Sequence, residues 1–326
     1  MVELDQLRAL SARVGANPLL VQAAGGNTSL KVGGIMWIKA SGTWLKDADS
    51  RDILVPLDHP AILAALAKDD PACESCTNFV RTDLNATGLR PSIETTVHAL
   101  MPQRVVVHVH CVNTIAWAIR KDAEARLTEK LRDFTWAFIP YARPGLPLAG
   151  AISSRLRPGV DVLVLGNHGL VVAADTVGAA EALLSRVVTA LARPARPAGP
   201  PDRDKLAKHC TGIPYEPATM DDTHALATDP LALKRGKSLV FYPDHVVFLG
   251  TGVATSFEGD PPLVAIPGAG VFIHKNAKPA VEPMGRCLAD IMRRVEEADT
   301  LVSLSDVEID RLVNWDAEKY RQSLKP

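Results

Sequence analysis

Two stretches decide the fold: Arg104–Cys111, RVVVHVHC, and Val160–Asp175, VDVLVLGNHGLVVAAD. The first is a short run rich in β-branched side chains and reads as a strand. The second reads as two strands broken by a tight turn at Gly166–Gly169. In a strand, residues i and i+2 project from one face, so His108 and His110 point into a common space. Two imidazoles on an otherwise apolar strand are costly to bury without a compensating ligand. His168, in the GNHG turn, supplies a third. Three neutral imidazoles with one open position describe a catalytic divalent-metal site, for which Zn2+ is the default occupant. The competing reading is structural, with each ring hydrogen-bonded to a main-chain group.

Outward from these strands, helices and strands alternate without a strict βαβ repeat, which fits an α/β/α sheet domain better than a Rossmann fold. Leu4, Leu7, Leu10 and Val14 form one face of an N-terminal helix that ends near Gly15. LKVGGIMWIKA, residues 30–40, predicts a hairpin bending at Gly33-Gly34. Helices are expected from about Pro60 to Lys68, from near Pro91, and from about Thr176 to Leu191. The stretch 193–204, RPARPAGPPDRD, carries Pro194, Pro197, Pro200 and Pro201 and predicts an extended linker. It divides the chain into residues 1–192, a catalytic domain, and 205–326, a smaller α/β C-terminal domain. In the latter, YPDHVVFLG (242–250) and LVAIPGAGVFIHK (263–275) read as strands. A helix is expected from about Pro279 to Asp299. A terminal helix follows Ser305, capped by that serine with Glu308 three residues on.

Composition bounds the function. The chain has 326 residues and 47% hydrophobic content, enough for a sizeable core. Lys+Arg 36 against Asp+Glu 37 gives a net charge of -1, which argues against general nucleic-acid binding or a polybasic membrane partner. No stretch approaches the roughly 18–20 apolar residues of a membrane span, and the N-terminus lacks a signal-peptide pattern. Five cysteines are too few and odd for a disulfide scaffold. A cytoplasmic protein is the expectation. Cys73 and Cys76 form a lone CxxC in what reads as an exposed loop, and no second pair accompanies it to complete a structural zinc site.

Glu94, in RPSIETTVHALM, falls in the expected first turn of a helix, where the helix dipole favours a carboxylate. It is either an ordinary solvated cap or, if its helix reaches the histidines, an acid/base group. His98, one turn later, suits packing or support of the site. Gly25-Gly26-Asn27-Thr28-Ser29 and Ser41-Gly42-Thr43 are turns whose exposed backbone N–H groups suit a phosphate or carboxylate, though neither matches a Walker A loop or GxGxxG.

Taken in order, GGNTS, ASGTWL, SIET..H, HVH and GNHG resemble the class II aldolase/adducin family, which includes fuculose-phosphate and rhamnulose-phosphate aldolases. The resemblance covers about residues 1–192. It implies an α/β/α fold, a homo-oligomer with a tetramer favoured, and a zinc held by His108, His110 and His168. It also implies that Asn27, Ser29, Ser41, Gly42 and Ser92 bind a substrate phosphate, and that Glu94 is the catalytic acid/base. The expected activity is metal-dependent C–C cleavage or formation in a small hydroxy-carbonyl compound through a metal-stabilised enediolate. Dehydratase, epimerase and decarboxylase chemistries are the alternatives on the same fold, as is a non-catalytic adducin-like module. The second segment is similar to the extended aldolase region of larger aldolase/dehydrogenase fusions. The dehydrogenase half is absent, so no redox cofactor is expected. The proton donor to the leaving aldehyde is unassigned among Tyr141, Tyr215, Tyr242 and Tyr320.

Overall fold

A computed structural model describes residues 2–210 and 212–323. Its main sheet has seven strands: β1 (Asn27–Val32), β2 (Ile35–Lys39), β3 (Leu54–Asp58), β4 (Val105–Val109), β5 (Trp136–Ile139), β6 (Val162–Leu165) and β7 (Gly169–Ala174). The strand order is β3-β2-β1-β4-β7-β6-β5. All neighbours are antiparallel except β5 and β6. The expected hairpin is β1–β2, with Gly33 and Gly34 both at positive φ in the two-residue turn that pairs Val32 with Ile35.

β4 lies at the centre, paired on both edges and buried throughout. Its alternation sorts the core into two layers. Val105, Val107 and Val109 pack with residues of helices Val2–Ala16 and Val177–Ala190, including Leu7, Leu10, Val14 and Leu184. Val106 packs on the other face with Val97, Leu148 and Ile152, which come from helices Thr95–Leu100 and Leu146–Arg155. Helices therefore cover both faces, as a central strand buried along its whole length requires. By the same period of two, His108 shares its face with Val106, toward the short helix that Glu94 precedes.

The second segment adds a three-stranded sheet, β8 (Tyr215–Pro217), β9 (Leu263–Ile266) and β10 (Gly270–His274), in the order β8-β10-β9. Helix Val281–Met292 buries Met284, Leu288 and Ile291 in one cluster with Val112, Ile115, Ala116 and Ile119 of the first segment. The two segments thus share a hydrophobic core. The proline-rich stretch forms neither helix nor strand up to Asp202, with helix Arg203–His209 following, and its backbone is held at both ends: Arg193 N donates to Asn113 Oδ1 at 3.1 Å, and Asp202 N to Ala269 O at 2.8 Å.

Four expectations need correction. Residues Pro243–Leu249 form a helix, where YPDHVVFLG reads as a strand. Pro243 presets the first helical φ, and Gly250 at φ 86 stops the helix, so the punctuation outweighs the β-branched pair Val246-Val247. The helix expected to run to Asp299 ends at Met292, where Arg196 donates to the Met292 carbonyl at 2.8 Å and Arg235 to those of Glu296 and Glu297 beyond, at 2.8 and 3.0 Å, in place of further helical bonds. Glu94 lies at the N-cap position of helix Thr95–Leu100, outside its first turn, and makes no capping bond. Cys73 and Cys76 are both buried, in and beside a short 3-10 turn, with Cys76 Sγ 3.3 Å from Cys73 O. The terminal helix appears as Asp306–Val313 with the Ser305/Glu308 capping box complete, and a further helix, Asp316–Ser323, follows.

Candidate metal centre

The three histidines arrive on adjoining strand ends. His108 sits in β4 opposite Asn27 of β1 and Val171 of β7. His110 lies one residue past β4, and His168 occupies the β6–β7 turn beside Asn167, whose φ is 51. Asn167 pins that turn by donating to Phe241 O and Val302 O, each at 2.9 Å. The rings gather with centroids 5.0, 5.0 and 5.4 Å apart. Glu94 completes the group: its carboxylate lies 3.3 Å from His108 Nε2 and 3.1 Å from His168 Nε2.

One donor atom from each of Glu94, His108, His110 and His168 falls within 4.8 Å of all the others, and all four residues are buried. His108 Nε2, His110 Nε2, His168 Nδ1 and Glu94 Oε1 are buried without a hydrogen-bond partner. Unsatisfied buried polar atoms are costly, and a cation placed where one donor from each residue converges would satisfy those that face it. The protonation states agree with that use. Burial pushes His108 down to about 3, leaving its ring neutral at pH 7 with a free lone pair. Burial opposes charge on Glu94, but His108 and His168 outweigh it and hold its carboxyl well below the usual range. A neutral ring at His108 and an ionised carboxylate at Glu94 are forms that a divalent ion can use. His108 Nδ1 lies 3.0 Å from Leu170 O, which fixes Nε2 as the inward nitrogen.

Around the donors is a polar frame. Asn27 Nδ2 donates to Glu94 Oε2 at 2.7 Å and to Ser92 Oγ at 3.1 Å. His98 bonds Asn27 Oδ1 through one ring nitrogen and Ser29 Oγ, at 2.7 Å, through the other. His98 is therefore a brace. Asn27, Ser41, Gly42, Ser92 and Glu94 line one cavity with His110 and His168. Ser29 stands behind this wall, committed to His98. Ser41 Oγ is buried and unpartnered. Tyr141, whose hydroxyl is buried, is not among the lining residues, and neither are the other three tyrosines.

Three contributors escaped the sequence reading. Lys39, two residues before Ser41, is buried in the cavity wall and donates to Ala24 O at 2.7 Å and Gly26 O at 3.1 Å. Burial pushes its amine down to about 7. Asp244 and Arg321 come from the second segment and face the histidines across the cavity, beside Trp315 and Glu318. A lysine ending an otherwise apolar strand was a readable signal. Asp244 lay hidden because its stretch reads as a strand, and nothing local marks Arg321.

Residues 6–193 match the Class II Aldolase and Adducin N-terminal domain. The chain belongs to the class II aldolase and adducin family. It is also similar to an uncharacterized oxidoreductase, YuxG, of Bacillus subtilis (strain 168), with 24% identity over 263 residues. That match takes in 74% of this chain and 37% of the relative, so the chain spans little more than a third of that protein's length. Among solved structures, the N-terminal class II aldolase domain of a conserved protein from Thermoplasma acidophilum is 26% identical with a TM-score of 0.51, covering 58% of this chain and 92% of that one. The l-fuculose-1-phosphate aldolase of Thermus thermophilus aligns at 16% identity and a TM-score of 0.39, over 59% of this chain and 92% of that one. The fold is the mixed α/β one expected, with an additional C-terminal region. No helix of the described residues is long and apolar enough to cross a membrane.

Proposed function

We propose that this protein is a divalent-metal-dependent lyase of the class II aldolase type, cleaving or forming a C–C bond in a small hydroxy-carbonyl compound. The observation that carries the reading is the placement of Glu94: a buried, ionised carboxylate facing His108 and His168, inside a cavity that also exposes Asn27, Ser41 and Gly42. A cation held by His108, His110 and His168 would supply Lewis acidity toward a carbonyl oxygen. Glu94 takes or returns the proton at the carbon next to the carbonyl through a carboxylate oxygen. Asn27 keeps the carboxylate aimed by its 2.7 Å bond, and the burial of Glu94 limits the water that would compete for the proton. Ser41, Gly42 and Ser92 provide hydroxyl and backbone donors for an anionic group such as a phosphate.

The test begins with metal analysis of the purified protein. It continues with a panel of hydroxy-ketones and their phosphates, assayed for aldehyde release before and after chelation and re-addition of zinc. The reading expects a bound divalent ion and a cleavage activity that EDTA removes and zinc restores. A protein that neither retains zinc nor gains thermal stability from it sinks the proposal and favours a non-catalytic module. Metal-dependent loss of water or carbon dioxide without C–C cleavage would instead assign a dehydratase or a decarboxylase.

A further inference from the structure

His110 differs from its two neighbours in how its ring is held. It lies just past the end of β4, where no strand partner offers it a carbonyl. Its Nδ1 lies 3.2 Å from Asp244 Oδ2, an oxygen buried with no other partner, and its Nε2 is likewise buried and unpartnered. Asp244 is itself buried, in the first turn of helix Pro243–Leu249 of the second segment. Its other oxygen meets Arg321 of helix Asp316–Ser323, and Arg321 Nε lies 2.9 Å from Glu318 Oε2. A buried carboxylate against one nitrogen of an imidazole decides which nitrogen carries the proton, and so which one is free to ligate.

We propose that Asp244 is a positioning residue of the metal centre. It holds the Nδ1–H of His110 and thereby presents Nε2 to the cation, while Arg321 and Glu318 brace the carboxylate from behind. The inference rests on the metal reading given above. Asp244 acts through His110 because the donor atoms that converge within 4.8 Å come from Glu94, His108, His110 and His168, with Asp244 outside the set. The second segment is on this account part of the metal centre, since it fixes the geometry of a ligand that the first segment leaves unsupported.

Asp244→Ala and Asp244→Asn in the full chain test this, with zinc alone as the probe. In chelator competition, Asp244→Ala should weaken zinc binding by about 10–100-fold, the usual cost of losing a carboxylate behind a histidine ligand. His110→Ala should lose measurable binding. In the zinc-loaded wild type labelled with ¹⁵N-histidine, His110 should show a slowly exchanging Nδ1 proton that is missing in Asp244→Ala. If the alanine variant fails to fold, Asp244→Asn keeps the volume and an oxygen toward Arg321, and should show a smaller loss with the Nδ1 signal shifted. A zinc dissociation constant within twofold of wild type, alongside a lowered Tm of the metal-free protein, would reduce Asp244 to a fold contact and overturn the proposal. Loss of zinc as complete as in His110→Ala would overturn it differently, by making Asp244 a ligand. A wild-type protein that binds no zinc would overturn the metal reading and this inference together.

Discussion

Gly169 opens β7 directly after His168, and replacing it by alanine tests whether strand packing sets the donor geometry. A methyl group on its Cα would stand 2.5 Å from Val109 O and 3.3 Å from His108 Cε1. The first contact is with main chain and cannot rotate away. Its φ is not in the left-handed region, so the penalty is steric alone. β4 and β7 pair at Val109 and Leu170, hence relief requires β4 to shift by several tenths of an ångström at the residue between His108 and His110. Overpacking of this kind costs about 1–3 kcal/mol. Unfolding entropy of about 2.1 cal/mol/K per residue makes a chain of 326 residues lose about 0.7 kcal/mol per degree, so Tm should fall by about 1.5–4.5 °C. Ligand distances are held to about 0.2 Å in working metal sites, and a displaced His108 should weaken zinc binding by about tenfold or more. Thermal melts of the metal-free protein and chelator competition measure the two effects. A lowered Tm with unchanged zinc affinity would refute the reasoning, because it would show that the donors adjust independently of the strands.

The remaining predictions concern other links of the same chain. Gly178 lies in an exposed part of helix Val177–Ala190 with nothing within 4 Å of an added Cβ, so Gly178→Ala should raise stability by about 0.4–1 kcal/mol in denaturant melts, and a loss would reveal an unseen contact. Glu94→Gln keeps the side-chain size and removes the charge; turnover on whichever hydroxy-carbonyl the screen identifies should fall by about 10² or more, and unchanged kcat would remove Glu94 from the chemistry. Burial pushes His108 and His245 down to about 3, below the ordinary imidazole value of 6.5. Between those limits the unfolded chain binds protons that the fold refuses. Stability of the metal-free protein should therefore be full above pH 6.5 and decline on acidification by about 1.4 kcal/mol per pH unit for each ring. Equal Tm at pH 7.5 and 5.5 would contradict it. A chain cut after Ala192 uncovers Val112, Ile115, Ala116 and Ile119, and should be poorly soluble; a soluble, zinc-binding product would show that the first segment is self-sufficient.

What the sequence made legible was local in origin. The period of two placed His108 and His110 together, the Gly-Asn-His-Gly turn placed His168 at a strand end, and Ser305 with Glu308 announced a capped helix. What it withheld was long-range. From its own helix Glu94 reads as a helix-turn carboxylate, and the family resemblance alone links it to the histidines; the packing of Val97 and Met101 against Val106 shows how, by laying its helix over the histidine face of β4. Asp244 was concealed by Val246 and Val247, whose strand preference competes with the weaker signals of Pro243 and Gly250. Arg321 has no motif at all. The proline-rich stretch marks a change of composition, while the core crosses it.

The bonds that frame the cavity have an implication for the order in which the chain assembles. Asn27 reaches Glu94 across 67 residues, Asn167 reaches Phe241 across 74, and Asp244 meets Arg321 across 77. Each closure carries a loop entropy that is repaid only once the flanking elements are docked. Hairpins such as β1–β2 and β6–β7 close over a few residues and form early by comparison. On refolding from denaturant, helical and sheet signals should accordingly return before the capacity to take up zinc. An intermediate at that stage would expose the apolar side of helix Val112–Ala118, and this is the interval in which aggregation competes with completion of the cavity.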